Sequence, residues 1–439
     1  MNAKNIFSIL GINLLVIFSA CKKEKNDEEP PSINCYSPGY NSAFNMSGNI
    51  RVTGKAIDNV NLEFVYFYLS DHNGNSVQGA ANFTEYEVGK EFNFDFEYPL
   101  FDESLETGNY FFCISAGDGN SITTTRIPVF INSPLNKKGY CFNFKRNNFQ
   151  YETSVADTNF QLSILSGSSF SQKPNGYLLS NRYKILGLVG KSPEAFKEFS
   201  IQNSQTLSTL PSLNASLPYF TCSGQDKDFF YIGYYNDSIE KRIPGGNSQL
   251  SYSCNDPNFY PSSISALDGV LAIQFISKTT SGNRFILFNK NNAQVLATYY
   301  NNSERIFSFE DGNGNSYLLE NLLNGSRISL MNNSSGNVVQ LLNLPGGKIT
   351  DACQIDGTSL LIASTDGNLY QFSYNPLNLI SIFSSHTFEK ISYSSDENKV
   401  YGANGNRFEI FEKNPFSLTQ KGNFLFSDSI MDFKVIYNR

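Results

Sequence analysis

One turn followed by one apolar strand returns four times in the C-terminal part of this 439-residue chain. Its period limits the fold more than any other feature. The copies are Gly282-Asn283-Arg284-Phe285-Ile286-Leu287-Phe288, Gly325-Ser326-Arg327-Ile328-Ser329-Leu330, Gly367-Asn368-Leu369-Tyr370-Gln371-Phe372 and Gly405-Asn406-Arg407-Phe408-Glu409-Ile410-Phe411. Their glycines stand 43, 42 and 38 residues apart, and Asp237-Ser238-Ile239 lies 45 residues before the first. Weaker equivalents occur near Glu194, before Phe196-Lys197-Glu198-Phe199, and near Asp157, before Phe160-Gln161-Leu162-Ser163-Ile164. A second marker keeps step. Ile264, Ile306, Ile349 and Ile391 each open a short strand ending at Asp268-Gly269, Asp311-Gly312, Asp356-Gly357 and Asp396-Glu397, and Tyr219 and Asp226 match the same positions. Each period therefore holds three strands, with about ten residues left for a fourth. A four-stranded unit of about 40 to 45 residues is a blade of a β-propeller.

Seven turn markers predict seven blades; six or eight stay open, because the first two are weakly marked. The segment 430–437 is one more strand with no blade of its own. It is expected to complete the first blade, near 142–164, and so remove a free sheet edge. The fold class is all-β, with the propeller over 137–439. Composition agrees: 38 Phe and 25 Tyr suit strands, and long helical periodicity is missing. The repeat has neither the Trp-Asp and Gly-His signals of WD40 proteins nor the tryptophans of quinone-type propellers, since the chain has no Trp.

From 33 to 134 the rhythm is shorter. Strands are expected at 49–58, 62–71, 91–98, 110–116 and 121–131, separated by turns such as His72-Asn73-Gly74-Asn75 and Asp118-Gly119-Asn120. About 100 residues with this rhythm predict a β-sandwich. The series Val52-Thr53-Gly54-Lys55-Ala56-Ile57-Asp58, Val65-Tyr66-Phe67-Tyr68-Leu69-Ser70-Asp71 and Gly108-Asn109-Tyr110-Phe111-Phe112 resembles the Ig-like modules of bacterial surface lipoproteins. The linker Asn132-Ser133-Pro134-Leu135-Asn136 separates the two rhythms.

The first twenty residues predict a signal peptide. Lys4 supplies a positive charge, 6–18 is an apolar run of 13 residues, and the small Ser19 and Ala20 precede Cys21. The pattern resembles a bacterial lipoprotein signal with Phe18 in place of the usual Leu, a relaxation found in the Bacteroidota. The resemblance implies acylation of Cys21 after cleavage, and several chains suffice for stable anchoring. Residues 21–32 are then a charged, Pro-terminated tether. Lys22-Lys23-Glu24-Lys25-Asn26-Asp27-Glu28-Glu29 also resembles the export signal that sends such lipoproteins to the outer face of the cell. The expected location is the outer membrane, lipid-anchored and facing outward.

Without Lys4 the chain carries 32 basic and 40 acidic side chains, a net charge of −8 that argues against nucleic-acid binding. Six cysteines follow Cys21, with no CxxC, and only two histidines exist, His72 and His386. A zinc site has little support, and no cofactor motif is present. Cys35 with Cys113, and Cys222 with Cys254, could pair; buried free thiols are the competing reading. Asp311-Gly312-Asn313-Gly314-Asn315 spaces oxygens as a calcium loop does, but Leu322 and Ser316 break that pattern and a hairpin turn is the expectation. The recurring Asp residues are likewise expected to serve turns rather than glycoside hydrolysis. Neither histidine sits by a serine or cysteine motif, so a hydrolase triad is not expected. Asp237-Ser238-Ile239 and Asp428-Ser429-Ile430 resemble O-glycosylation acceptors of the Bacteroidota, at a frequency chance would give.

One periodic feature is left over. Arg305, Lys348 and Lys390 each immediately precede the opening strand of three consecutive blades. Equivalent positions fall on one ring, so these cations are expected to form an arc at the channel mouth, where they could bind an anionic group. Local neutralisation by Glu304 and Glu389 is the competing reading. The function expected is a non-catalytic surface lipoprotein presenting a propeller to a glycan, a protein or an outer-membrane transport partner. A propeller glycan hydrolase or lyase, and a structural part of an envelope assembly, are the alternatives.

Overall fold

The computed structural model describes residues 29–438 apart from 47, 73, 78–79, 101–104, 134–135, 147–149, 192, 214–218, 281 and 312. The expectations for the signal segment, for Cys21 and for most of the tether lie outside the described residues. The chain divides into two compact units, Met1–Pro134 and Leu135–Arg439. Among the described residues every helix or strand assigned is a strand.

The first unit contains β1 (Ser32–Ser37), β2 (Ser42–Asn45), β3 (Asn49–Ser70), β4 (Phe83–Pro99), β5 (Gly108–Gly117) and β6 (Ile122–Asn132). The sequence predicts a break near 59–61, yet β3 runs through it for 22 residues. The reason is local. Asp58 Oδ1 accepts hydrogen bonds from the backbone N–H groups of Val60 and Asn61, both at 2.7 Å, so the corner needs no loop to satisfy its donors. The ladder to β4 slips at this corner. Buried positions change from even (Ile50, Val52, Ala56) to odd (Val65, Phe67, Leu69).

One hydrogen-bonded sheet runs β1-β3-β5-β6-β2, with β4 also on β3. It still encloses a single core, because its two ends pack on each other. Tyr98, opposite Ile50 in the ladder, meets Phe112, opposite Leu69, with ring centroids 5.1 Å apart. At Gly54 two strands approach closely: a Cβ there would stand 2.4 Å from the Asn34 carbonyl oxygen.

The second unit is a seven-bladed β-propeller, with seven four-stranded sheets. Blade 2 is Gly176–Ser180, Ile185–Val189, Phe196–Ser200 and Thr206–Leu210; blade 3 is Phe220–Gln225, Phe230–Tyr234, Ser238–Arg242 and Ser248–Ser253. Blade 4 is Phe259–Ala266, Val270–Ser277, Asn283–Asn289 and Val295–Asn301; blade 5 is Arg305–Glu310, Asn315–Leu322, Gly325–Asn332 and Val338–Asn343. Blade 6 is Ile349–Asp356, Ser359–Ser364, Asn368–Ser373 and Asn378–Ser384; blade 7 is Lys390–Ser394, Lys399–Asn404, Arg407–Asn414 and Ser417–Leu425. Blade 1 combines both ends of the unit. Its first strand is Ser429–Tyr437, paired antiparallel with Lys137–Lys145, followed by Tyr151–Ala156 and Leu162–Ile164. The weak marker at Asp157 therefore leads into a fourth strand, not a third, because the closing strand takes the innermost place.

Burial follows position in the blade. Second strands are apolar and buried on both faces, as in Leu360, Leu361 and Ile362, all 0% exposed. Each such side chain contributes about 1.5–3 kcal/mol of transfer free energy. Outer strands alternate and leave Ile164, Leu207 and Val339 exposed. The turn glycines Gly325, Gly367 and Gly405 have φ of 131°, 85° and 56°, a region that a side chain would strain.

Side chains tie neighbouring blades near the axis. Gln225 pairs with both the N–H and the carbonyl of Leu179, at 2.6 and 2.8 Å. Asn321 does the same with Ile349, at 2.8 Å each. Gln274 takes the Ile306 N–H at 3.0 Å and donates to the Ser303 carbonyl, and Asp351 takes the Ile391 N–H at 2.9 Å. Asn181 accepts from the Tyr437 N–H at 3.0 Å, across the closure. At the other side of that closure, Phe408 of blade 7 packs on Tyr140, Phe142 and Phe433 of blade 1, with centroids 5.0–5.3 Å away.

All six described cysteines are unpaired, so neither candidate disulfide forms. Cys35 donates to the Ser37 carbonyl at 2.9 Å, and Cys113 lies 3.2 Å from the Ser70 hydroxyl. Burial pushes the Cys222 and Cys141 thiols up to about 12.

Candidate functional site

The first strands of blades 1, 2, 5, 6 and 7 begin around an axial cavity of about 420 Å³. Arg305, Ile349, Thr350, Glu389 and Lys390 reach it from blades 5 to 7, and Met431 and Asp432 from the closing strand. Asn143 lies behind Asp432, its partner in the ladder. Lys173, Pro174, Asn175, Gly176 and Tyr177 come from the connector into blade 2 and from its first strand.

Two of the three cations singled out from the sequence line this cavity: Arg305 and Lys390. Lys348 does not. Its ammonium turns to Glu304 of the preceding blade. That pair is half exposed, so it is worth about 0–1 kcal/mol. Glu304 thus neutralises Lys348 rather than its own neighbour, Arg305. Lys173 is the cation the sequence pattern missed. It lies in a connector, three residues before the first strand of blade 2, outside the periodic marker.

The cavity's cations differ in their company. Lys390 sits 3.7 Å from Asp351 and 3.9 Å from Asp432. These carboxylates raise its pKa, Asp432 most. Asp351 is itself fixed by the Ile391 N–H. Arg305 and Lys173 make no ion pair with any described residue. The Arg305 guanidinium lies over the Phe307 ring, 4.2 Å from its centroid. Burial lowers its pKa, with Asp351 and Asp432 opposing. Lys173 is also lowered, first by burial and then by Lys390, with Asp432 and Glu389 opposing; Arg305 adds the smallest push downward. Crowded cations that no carboxylate pairs directly are stabilised by an arriving anion.

A nearby charge makes the contrast clear. Glu320 of blade 5 is 0% exposed but fully answered. Arg327 grips it with two bonds of 2.7 and 3.0 Å, and the Ser303 and Ser329 hydroxyls donate at 2.8 and 2.9 Å. That ion pair is structural; nothing in it is left for a ligand.

The recurring Asp residues serve turns at three positions. Asp226 accepts from the N–H groups of Asp228 and Phe229, and Asp356 from that of Thr358. Asp311 Oδ1 accepts from Asn313 and Asn315 at 2.7 and 2.9 Å, and Oδ2 from the Asn315 side chain at 2.8 Å. This carboxylate is used up by its own loop. Among the described residues no group of three or more His, Cys, Asp or Glu side chains is arranged to hold a metal ion.

The fold gives one of the two histidines a serine and a carboxylate as neighbours. His386 lies in the connector between blades 6 and 7, with Nδ1 2.7 Å from Ser385 Oγ and Nε2 2.6 Å from Glu409 Oε2. Glu409 comes from the third strand of blade 7, 23 residues on. The sequence signal was the adjacent Ser-His pair; only the sheet register brings in the acid.

No family model matches the chain, and no curated protein matches it. Solved structures do. A Lactobacillus plantarum protein is similar over 69% of this chain and 100% of its own, at 13% identity with a TM-score of 0.51. A putative 6-phosphogluconolactonase from Bacteroides fragilis covers 68% of this chain and 98% of its own, at 14% identity and a TM-score of 0.47. The C-terminal WD40 domain of Sif2 covers 69% and 95%, at 11% identity and 0.46. At these identities the likeness is one of fold and carries nothing about activity.

Proposed function

We propose that this protein binds an anionic ligand, an acidic saccharide in the first place, at the axial mouth of its propeller. The observation that carries the reading is the pair Arg305 and Lys173: two cations facing one cavity, neither in an ion pair with a described carboxylate, although Asp432 lies near both. Glu389 and the oxygens of Asn175 and Thr350 offer acceptors to sugar hydroxyls, while the Asn175 amide and the Thr350 hydroxyl donate to the Phe220 and Phe388 carbonyls. Tyr and Phe would have to serve any stacking, as the chain lacks Trp.

The sequence supports a setting for this role. Cys21 would carry the lipid anchor, 21–32 the tether, and the first unit, an Ig-like module in this reading, would act as spacer. The parallel pairing of β2 with β6, beside an antiparallel β5–β6 hairpin, is compatible with such a module. The protein would then be an outer-membrane lipoprotein that presents its propeller at the cell exterior. Replacing Cys21 with Ala should release a folded protein from washed membranes. Retention would overturn the anchoring.

Titration calorimetry with oligogalacturonate and its methyl ester tests the binding reading. The acid form should bind, and the ester should bind at least tenfold more weakly. Equal affinity for both would remove the anion from the account. The glycan hydrolase or lyase alternative needs two carboxylates at the mouth. Glu389 and Asp432 are both there, although Asp432 is held near Lys390. Shortening of the oligosaccharide during the titration would favour that alternative over simple binding.

A further inference from the structure

We propose that Ser385, His386 and Glu409 form a nucleophilic relay that cleaves carboxylic esters, an activity independent of the anion at the channel mouth. The three groups stand in one hydrogen-bonded line: Ser385 Oγ to His386 Nδ1 at 2.7 Å, then His386 Nε2 to Glu409 Oε2 at 2.6 Å. A nucleophile, a base within reach and a third group that orients the base are what activation of a serine requires. The partners assign the tautomer. Glu409 can only accept when ionised, so Nε2 carries the proton and Nδ1 keeps the lone pair that receives the serine O–H.

The surroundings grade the three groups as such a relay needs. Glu409 is 2% exposed and is fixed on its other oxygen by Gln420 Nε2 at 2.8 Å. The imidazole is wedged edge-on between Phe383 and Phe388, with centroids 5.3 and 4.9 Å away. Ser385 is exposed at the open end. A histidine present only to hold Glu409 would need neither a second partner nor an outward-facing hydroxyl. The backbone supplies the remaining element. No described residue accepts a hydrogen bond from the N–H groups of His386 or Thr387. These are donors available to a developing oxyanion beside Ser385.

The chemistry balances with water alone. Ser385 Oγ attacks the ester carbonyl carbon while its proton passes to His386 Nδ1. The carbon–alkoxy bond breaks, and the leaving alkoxide takes that proton as the alcohol. Water then attacks the acyl-serine by the same route, releasing the acid and restoring Ser385. Glu409 accepts no proton; it holds the imidazole and stabilises its charged form.

Labelling of the full chain with a fluorophosphonate, followed by peptide mapping, tests this. The label should sit on Ser385 and be absent from Ser385→Ala, which alters an exposed side chain only. His386→Gln should slow labelling at least about 100-fold, the contribution typical of a positioned general base. Glu409→Gln keeps the packing and should slow it less. A second variant guards against a poor match to the probe: Ser385→Cys should alkylate with iodoacetamide at pH 7 at least tenfold faster than Ser385→Cys/His386→Gln. No label on Ser385, with equal alkylation rates in the two cysteine variants, would overturn the proposal. Hydrolysis of 4-nitrophenyl acetate that persists in Ser385→Ala would overturn it as well.

Discussion

The two units solve the same problem, hiding strand edges and apolar faces, in opposite ways. The first uses few, long strands and folds one sheet over itself through β3 and β4, so most of its pairing is between distant segments. The second uses short strands in local meanders, and each blade is nearly complete within about 40 residues. It spends one long-range pairing, Ser429–Tyr437 on Lys137–Lys145, to close the ring. Local pairings cost little loop-closure entropy; a closure across almost the whole unit costs more and is made once. Stability in the first unit should therefore be spread over its corner and core. In the second it should hinge on the closing blade.

This contrast can be broken by experiment, and removing residues 429–439 should have the largest effect. Calorimetry of the truncated chain should lose the propeller transition and keep that of the first unit. Survival of both transitions at unchanged temperatures would show that closure carries no special weight. Phe408→Ala is the milder version. It opens a cavity among Tyr140, Phe142 and Phe433, and should cost about 3–5 kcal/mol in the second unit alone. Asp58→Ala should act only on the first unit. It strips the corner of its acceptor and should cost about 1–3 kcal/mol by denaturant unfolding. Asp356→Ala removes two exposed turn bonds, from the Thr358 N–H and hydroxyl, and about 0.5–1.5 kcal/mol is expected.

The titration of Lys173 sharpens the functional side of the contrast. Its pKa is lowered in the folded protein, so its charge is lost at a pH below the usual lysine value. Anion affinity should therefore fall as pH rises toward about 10, earlier than an ordinary lysine would allow. The linked stability effect has the opposite sign. The unfolded chain holds this proton more tightly, so Lys173 opposes folding while charged, and that penalty fades as pH rises. Affinity that stays level until about pH 10.4 would contradict the crowded site.

Much of the ring was legible because a blade is a local object with a fixed period. The Gly and Asp turns, the opening isoleucines and the closing strand all have signals within a few residues of where they act. The corner of β3 was not legible. Asp58-Asn59-Val60-Asn61 has the composition of a turn, and only the carboxylate's bonds to Val60 and Asn61 keep the strand running. At the mouth, periodicity put Arg305, Lys348 and Lys390 at matching positions but said nothing of side-chain direction, and only Arg305 and Lys390 line the cavity. Lys348 occupies the matching backbone position and is drawn away by Glu304 of the blade before. Lys173 had no periodic signal because connectors are free to vary. The relay at His386 depended on register between strands, which spacing along the chain does not reveal.

The same mismatch supplies the most direct test. Binding of oligogalacturonate should be measured by fluorescence anisotropy for Arg305→Ala, Lys173→Ala and Lys348→Ala, side by side with the unaltered protein. The account predicts at least tenfold weaker binding for the first two and a change of less than twofold for Lys348→Ala. A Lys348 variant as impaired as the Arg305 variant, or three variants that bind like the parent, would contradict it.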